Sequence, residues 1–104
     1  MLRRRVCSVD ALPPPGQMRG FSVAGFTDPV LVANVGGELF ATASACPHEH
    51  VSLLGGELRG GRVVCPGHAY EFDLATGACA HDRALSLVRF RTVVENGALY
   101  IELA

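Results

Sequence analysis

The 104-residue sequence has no lysine. Its nine basic residues are all arginine and stand against ten acidic ones, for a formal net charge of −1. Without a basic excess it has little to set against a run of phosphates, so nucleic acid is not an expected partner. No apolar stretch approaches the roughly 18–20 residues that a membrane-spanning helix needs. The start, Met1-Leu2-Arg3-Arg4-Arg5, looks like a basic n-region, but Val6-Cys7-Ser8-Val9-Asp10 stands where an apolar h-region would be, so no signal peptide is read. No segment sustains a 3.6-residue period and no internal repeat is visible, so helix is expected to be minor. What remains is a chain that is 49% hydrophobic and 18% charged, the composition of one globular domain. Its size needs no oligomeric partner to fold, and a cytoplasmic monomer is expected. In that reducing setting four cysteines point to metal or redox chemistry more often than to disulfides.

Short strands separated by glycine and proline run through both ends of the chain. Met1 to Val9 reads as a first strand, ended by Leu12-Pro13-Pro14-Pro15-Gly16, which cannot be helical. Met18 to Val23 reads as a second. Val30-Leu31-Val32-Ala33 is a continuous apolar run, expected of a strand covered on both faces, and Gly36-Gly37 turns it back into Leu39 to Ala43. Near the end, Asn96-Gly97 favours a two-residue type I′ turn. That turn sets Glu95 opposite Ala98, Val94 opposite Leu99 and Arg91 opposite Glu102. Val88, Phe90 and Val94 then share an apolar face with Leu99, Ile101 and Leu103, and Arg91 and Glu102 form a cross-strand charge pair. An apolar face of this kind needs a second sheet to pack on, so the domain is all-β.

The middle of the chain differs. Between Ala45 and Ala80 lie three of the four cysteines and Gly55-Gly56 and Gly60-Gly61, with His48, His50 and His68; His81 follows directly. Only Arg62 to Cys65 and Ala69 to Asp73 read as strands there. Such an insertion has little core of its own and needs a staple. Two motifs can supply one: Cys46-Pro47-His48 and Cys65-Pro66-Gly67-His68, with sixteen residues between His48 and Cys65. Each sets one thiol and one imidazole on a tight loop, with proline fixing φ just after the cysteine. A Cys46–Cys65 disulfide would leave the histidines unexplained, so a metal site is favoured. Zinc accepts two Cys and two His, but its familiar arrangement groups like with like. A [2Fe–2S] centre with two His on one iron and two Cys on the other suits two mixed loops better.

At these residues the sequence resembles the Rieske [2Fe–2S] family. The likeness extends to Val6 through Leu12, to Tyr70-Glu71-Phe72-Asp73-Leu74-Ala75-Thr76-Gly77 and to the closing hairpin, and Cys46-Pro47-His48-Glu49-His50-Val51 is most like the ferredoxins of multicomponent aromatic oxygenases. The resemblance implies a Rieske-like antiparallel β-sandwich base, roughly residues 1–44 and 81–104, with an inserted cluster-binding subdomain, roughly 45–80. It implies one [2Fe–2S] cluster, with Cys46 and Cys65 on the buried iron and His48 and His68 on the outer one. It also implies a one-electron carrier, not an enzyme, between an NAD(P)H-dependent flavin reductase and a terminal oxygenase. A small subunit of an assimilatory nitrite reductase and a zinc-stapled interaction module are the alternatives.

Other polar residues near the motifs read more plainly. His50 and the His81-Asp82 pair are taken as loop polarity, Cys7 and Cys79 as small buried residues, and Arg3-Arg4-Arg5 as a solvated strand edge. The respiratory members of the family carry a disulfide at the positions of Val51 and Gly67 and hydroxyls at those of Tyr70 and Phe72. The loop at Asp82-Arg83-Ala84-Leu85 lacks the prolines found in many of its ferredoxins. Hydrogen bonds to cluster sulfur favour the more negative reduced state, so their loss lowers the potential. A midpoint at the low end of the Rieske range, about −150 mV, is expected in protein-film voltammetry. A value well above zero would mean that an unidentified donor lies beside the cluster.

Overall fold

The computed structural model describes residues 2–48, 51–67 and 69–103. They form strands β1 (Leu2–Ser8), β2 (Met18–Phe21), β3 (Val30–Val35), β4 (Glu38–Ala43), β5 (Glu57–Arg59), β6 (Arg62–Val64), β7 (Glu71–Asp73), β8 (Arg89–Glu95) and β9 (Ala98–Leu103), with two single 3-10 turns at Val9–Ala11 and Leu53–Gly55. Six strands follow the antiparallel order β1-β9-β8-β4-β3-β2, and β5-β6-β7 make a second, smaller sheet. Within the larger sheet, β4 and β8 pair only at Ala41–Phe90 and Thr42–Arg89. Through this short seam the sheet curls, so that β1 and β9 pack their apolar residues against β3 and β4: Val6, Cys7, Leu99 and Ile101 join Val30, Val32 and Ala41 in one core.

The apolar run in β3 is buried throughout, as its sequence predicts, because its alternate side chains serve two different cores. Val30 and Val32 face the base core. Leu31 and Ala33 face a second core with Leu53, Val63, Phe72, Leu74 and Leu87. The inserted segment therefore has more core than its loop-rich sequence suggests: it shares one with β3. The strand β5, bracketed by two glycine pairs, is too short to show in the sequence. It pairs with β6 around Gly60-Gly61, where Gly60 takes a positive φ of 59°.

The closing hairpin has the predicted register, with Glu95 opposite Ala98, Val94 opposite Leu99 and Arg91 opposite Glu102. Asn96 (φ 50°) and Gly97 (φ 74°) both lie in the left-handed region that a type I′ turn requires. Its apolar face is only partly covered. Leu99 and Ile101 are fully buried, whereas Val88 and Val94 are 57% and 53% exposed. For Val94 the β4–β8 seam is the reason: past Arg91, β8 has β9 as its only ladder neighbour among the described residues. The charge pair also changes partner. Arg3, which sits across from Glu102 on β1, approaches its carboxylate at 3.5 Å and that of Glu95 at 3.2 Å. Arg3 to Arg5 lie on the edge strand of the sheet, as expected.

Two expectations follow from this packing. A Cβ added at Gly56 would lie 1.9 Å from the Val64 carbonyl oxygen, whereas at Gly61 it would meet nothing within 4 Å. Gly56→Ala should lose about 3 kcal/mol in urea denaturation, the upper end for overpacking, and Gly61→Ala about 0.5 kcal/mol or less. Equal losses would refute the contact. Burial pushes the Cys7 thiol above its ordinary pKa range, against the opposing pull of Arg5 and Arg19. A raised folded-state pKa gives stability that is complete below the unfolded thiol's pKa and is lost as pH rises through the folded value. Between about pH 7 and pH 10, wild type should therefore lose more stability than Cys7→Ala. Parallel curves for the two proteins would contradict this.

Candidate metal centre

Both ligand motifs fold as hairpin tips of equal length. In the first, Ala45 bridges Ser52, the Leu53 N–H donates to the Ser44 carbonyl (2.7 Å) and the Cys46 N–H donates to the Val51 carbonyl (2.8 Å). In the second, the β6–β7 ladder runs one step further, and the Cys65 N–H donates to the Tyr70 carbonyl (2.8 Å). Each cysteine thus closes its loop onto the residue five positions on, with four sequence positions between the two ends of each closure. The second tip is tightened by an Ala69 N–H bond to the Cys65 carbonyl (3.1 Å), with Ala69 at φ 59°. That left-handed residue is why β7 begins at Glu71 and not at Ala69.

The two hairpins are held over one apolar cluster. Cys46 and Cys65, 0% and 1% exposed, belong to it together with Leu53, Phe72 and Leu74. Gly56 lets the segment after the first loop pass against the second: its added Cβ would also touch the Pro66 ring at 3.2 Å. His48 is half-buried, with its Nδ1 atom inside the structure. Its imidazole stacks on the Tyr70 ring, centroids 4.1 Å apart and planes 19° from parallel. The Tyr70 ring in turn meets that of His81 at 5.2 Å. His68, the fourth predicted ligand, and His50 lie outside the described residues. Among the described residues no group of three or more His, Cys, Asp or Glu side chains could hold an ion by itself.

Residues read as incidental in the sequence sort into two kinds. Cys7 and Cys79 are buried thiols, as expected, the first in the base core and the second beneath Phe72, with which it bridges. Asp82 shapes its loop: its carboxylate accepts from the Ala84 N–H (2.9 Å) and its carbonyl from the Leu85 N–H (3.1 Å). This gives the 82–85 segment a turn without proline. His81, taken for loop polarity, is exposed but contributes a ring to the Tyr70 contact. No signal in the sequence could have shown this, because 33 positions separate His48 from His81.

The donor set suits an iron–sulfur group. Thiols and imidazole nitrogens are the soft and borderline donors that such clusters take. Two thiols and one imidazole nitrogen are here turned away from water at the bases and tip of facing loops. Comparison with known proteins agrees. The model of the Rieske [2Fe-2S] domain matches residues 3–91. The ferredoxin component of biphenyl 2,3-dioxygenase from Rhodococcus jostii (strain RHA1) is 39% identical over 77 residues, covering 74% of this chain and 69% of that protein. The ferredoxin CarAc of Metapseudomonas resinovorans is 32% identical over 98 residues, covering 93% and 90%. Among solved structures, a complex of reduced oxygenase and oxidized ferredoxin in carbazole 1,9a-dioxygenase aligns with a TM-score of 0.82 at 31% identity, covering 95% of this chain and 91% of that one. With two curled antiparallel sheets, paired Cys-and-His loops and a family match over most of its length, the chain belongs to the Rieske [2Fe–2S] family, and its cofactor is a Rieske-type [2Fe–2S] cluster.

Proposed function

We propose that the protein is a one-electron carrier whose cluster is held by Cys46, His48, Cys65 and His68, and that it takes electrons from an NAD(P)H-dependent flavin reductase and gives them to a terminal oxygenase. The observation that carries this reading is the pair of matched hairpins, each closed by its cysteine N–H, with His48 on the first loop and the sequence placing His68 in the second. The named relatives, components of dioxygenase systems, support the oxygenase as acceptor. The chain is a component and not itself an enzyme. The division into a base of residues 1–44 and 81–104 and an inserted subdomain of 45–80, and a cytoplasmic monomeric state, belong to the same reading. No helix among the described residues is long and apolar enough to cross a membrane.

When bound, the cluster takes up and releases a single electron. The residues of the chain divide the remaining work. Cys46 and Cys65, packed among Leu53, Phe72 and Leu74, keep water from the inner side. His48 turns Nδ1 inward and so carries its Nε2 edge toward the half-exposed tip, where a partner can approach within tunnelling reach. Around the tip, Val51 and Pro66 are exposed and Pro47 half-buried. These three apolar residues suit the weak, short-lived contacts of electron-transfer pairs. On the large sheet, the exposed Arg3 pairs with the exposed Glu95 and with the partly buried Glu102.

Cys46→Ser and Cys65→Ser should each abolish the brown chromophore and the labile sulfide, which quantitative iron and sulfide analysis would read. Stoichiometric zinc without sulfide in the wild type would overturn the ligand assignment. For the carrier role, NAD(P)H-dependent product formation is measured with a flavin reductase and a terminal oxygenase, with and without this protein. Turnover should fall to background when the protein is omitted. Unchanged turnover, or a protein that is reduced but never reoxidised by the oxygenase, would sink the role.

A further inference from the structure

We propose that Tyr70 is a positioning residue for His48: its ring fixes the plane of the imidazole at the tip of the other loop and so helps set the reduction potential. The inference rests on the reading of His48 as a ligand. Three observations carry it. First, Tyr70 is anchored at its own backbone, because its carbonyl accepts the Cys65 N–H that closes the second loop (2.8 Å). Second, from that anchor its half-buried ring reaches the first loop and lies on His48 almost face to face, at 4.1 Å and 19°. Third, the same ring meets His81 at 5.2 Å, so it is held by a further contact beyond the one it makes with His48. One side chain therefore ties the two ligand loops together at the level of their tips, while Cys46 and Cys65 are tied below by the common apolar cluster.

The physical consequence follows from the freedom of an imidazole. A histidine on an irregular loop tip has a broad, soft torsion about the bond to its ring, so the backbone alone does not set the ring plane. An aromatic face at stacking distance does, with an interaction of the offset-stacked kind. It also covers one side of the imidazole from water. Two ferric ions, two sulfides and two thiolates sum to zero charge, and one added electron makes the reduced state −1. Water at the imidazole favours the charged state, so uncovering His48 raises the potential. The electron-rich face of the phenol ring acts in the same direction, because it favours the oxidised, electron-poor imidazole. The phenol hydroxyl takes no part in either effect.

The test compares Tyr70→Phe, which keeps the ring, with Tyr70→Leu, which fills much of the space without one. Tyr70→Met, unbranched, stands in the same comparison should the leucine variant fail to load its cluster. Two quantities are read on the purified, cluster-loaded proteins: the midpoint potential, and the nitrogen hyperfine couplings of the histidine ligands by pulsed electron paramagnetic resonance. Tyr70→Phe should match wild type in both. The ring-free variant should show altered couplings from one histidine and a higher potential, at least a threefold rise in the reduced-to-oxidised ratio at fixed ambient potential. A ring-free variant that loads its cluster and matches wild type in both measurements overturns the proposal, as does a phenylalanine variant that shifts as far as leucine. His48→Ala separates this from the underlying assignment. If it keeps the wild-type couplings, the reading of His48 as a ligand fails; if it loses them while Tyr70→Leu is unchanged, only the stacking role fails.

Discussion

Strand β3 is buried on both faces, and both parts of the molecule lean on it. Val30 and Val32 close the core between β1, β9 and β4, while Leu31 and Ala33 close the core beneath the ligand hairpins. Burying a side chain such as Leu31 stabilises by roughly 1.5–3 kcal/mol, so a strand with two such faces stabilises two layers with one backbone. It also fixes the distance and orientation between the large sheet and the two loops. A polar residue at either position of the alternation would damage one layer and, through the shared strand, disturb the other.

The ligand loops are irregular backbone, and irregular backbone at a buried site must find other partners for its N–H and carbonyl groups. Here the answer is the same in both loops. The cysteine N–H donates to the carbonyl five residues on, so each thiol sits at the base of a closed hairpin, and His48 lies toward the tip of the first. The arrangement makes depth a function of position in the loop. Cysteine side chains reach the apolar cluster, and the His48 tip stays half-exposed. A group bound between the loops is thus dry on one side and approachable on the other, which is what an electron carrier requires.

Charge has a small part in this design. The described ion pairs, Arg3 with Glu95 and Glu102, Arg59 with Glu57 and Arg62 with Glu71, mostly join exposed groups on the sheets. Pairs of this kind contribute about 0–1 kcal/mol each. None of these charges comes from the residues of the two loop tips, whose described rim of Pro47, Val51 and Pro66 is apolar.

Local signals in the sequence were strong where a few adjacent residues decide the backbone. Asn96-Gly97 specified a turn with two positive φ angles, and the turn specified the register of β8 and β9. The unbroken apolar run of β3 announced a strand covered twice. The spacing and mixed order of Cys46, His48, Cys65 and His68 pointed to the Rieske family, to which the chain belongs. Other features depend on residues that meet only after the sheet has curled. Val94 has the alternation of a core residue yet stays exposed, because the β4–β8 ladder ends at Phe90. Glu102 has Arg91 opposite it in the hairpin and yet binds Arg3, whose strand arrives on the other side from the start of the chain. Strand β5 is too short for any periodicity to mark. The contact of His48, Tyr70 and His81 is the clearest case. Each ring lies on a different segment, and no rule of neighbouring residues relates them. By itself the sequence determined most of the strands and turns and offered the candidate donor atoms, since these follow from backbone preference and side-chain chemistry within a few residues. The tertiary structure alone decided which faces are covered, which charges pair and which rings stack, because those depend on segments far apart in the chain that meet only when the two cores form.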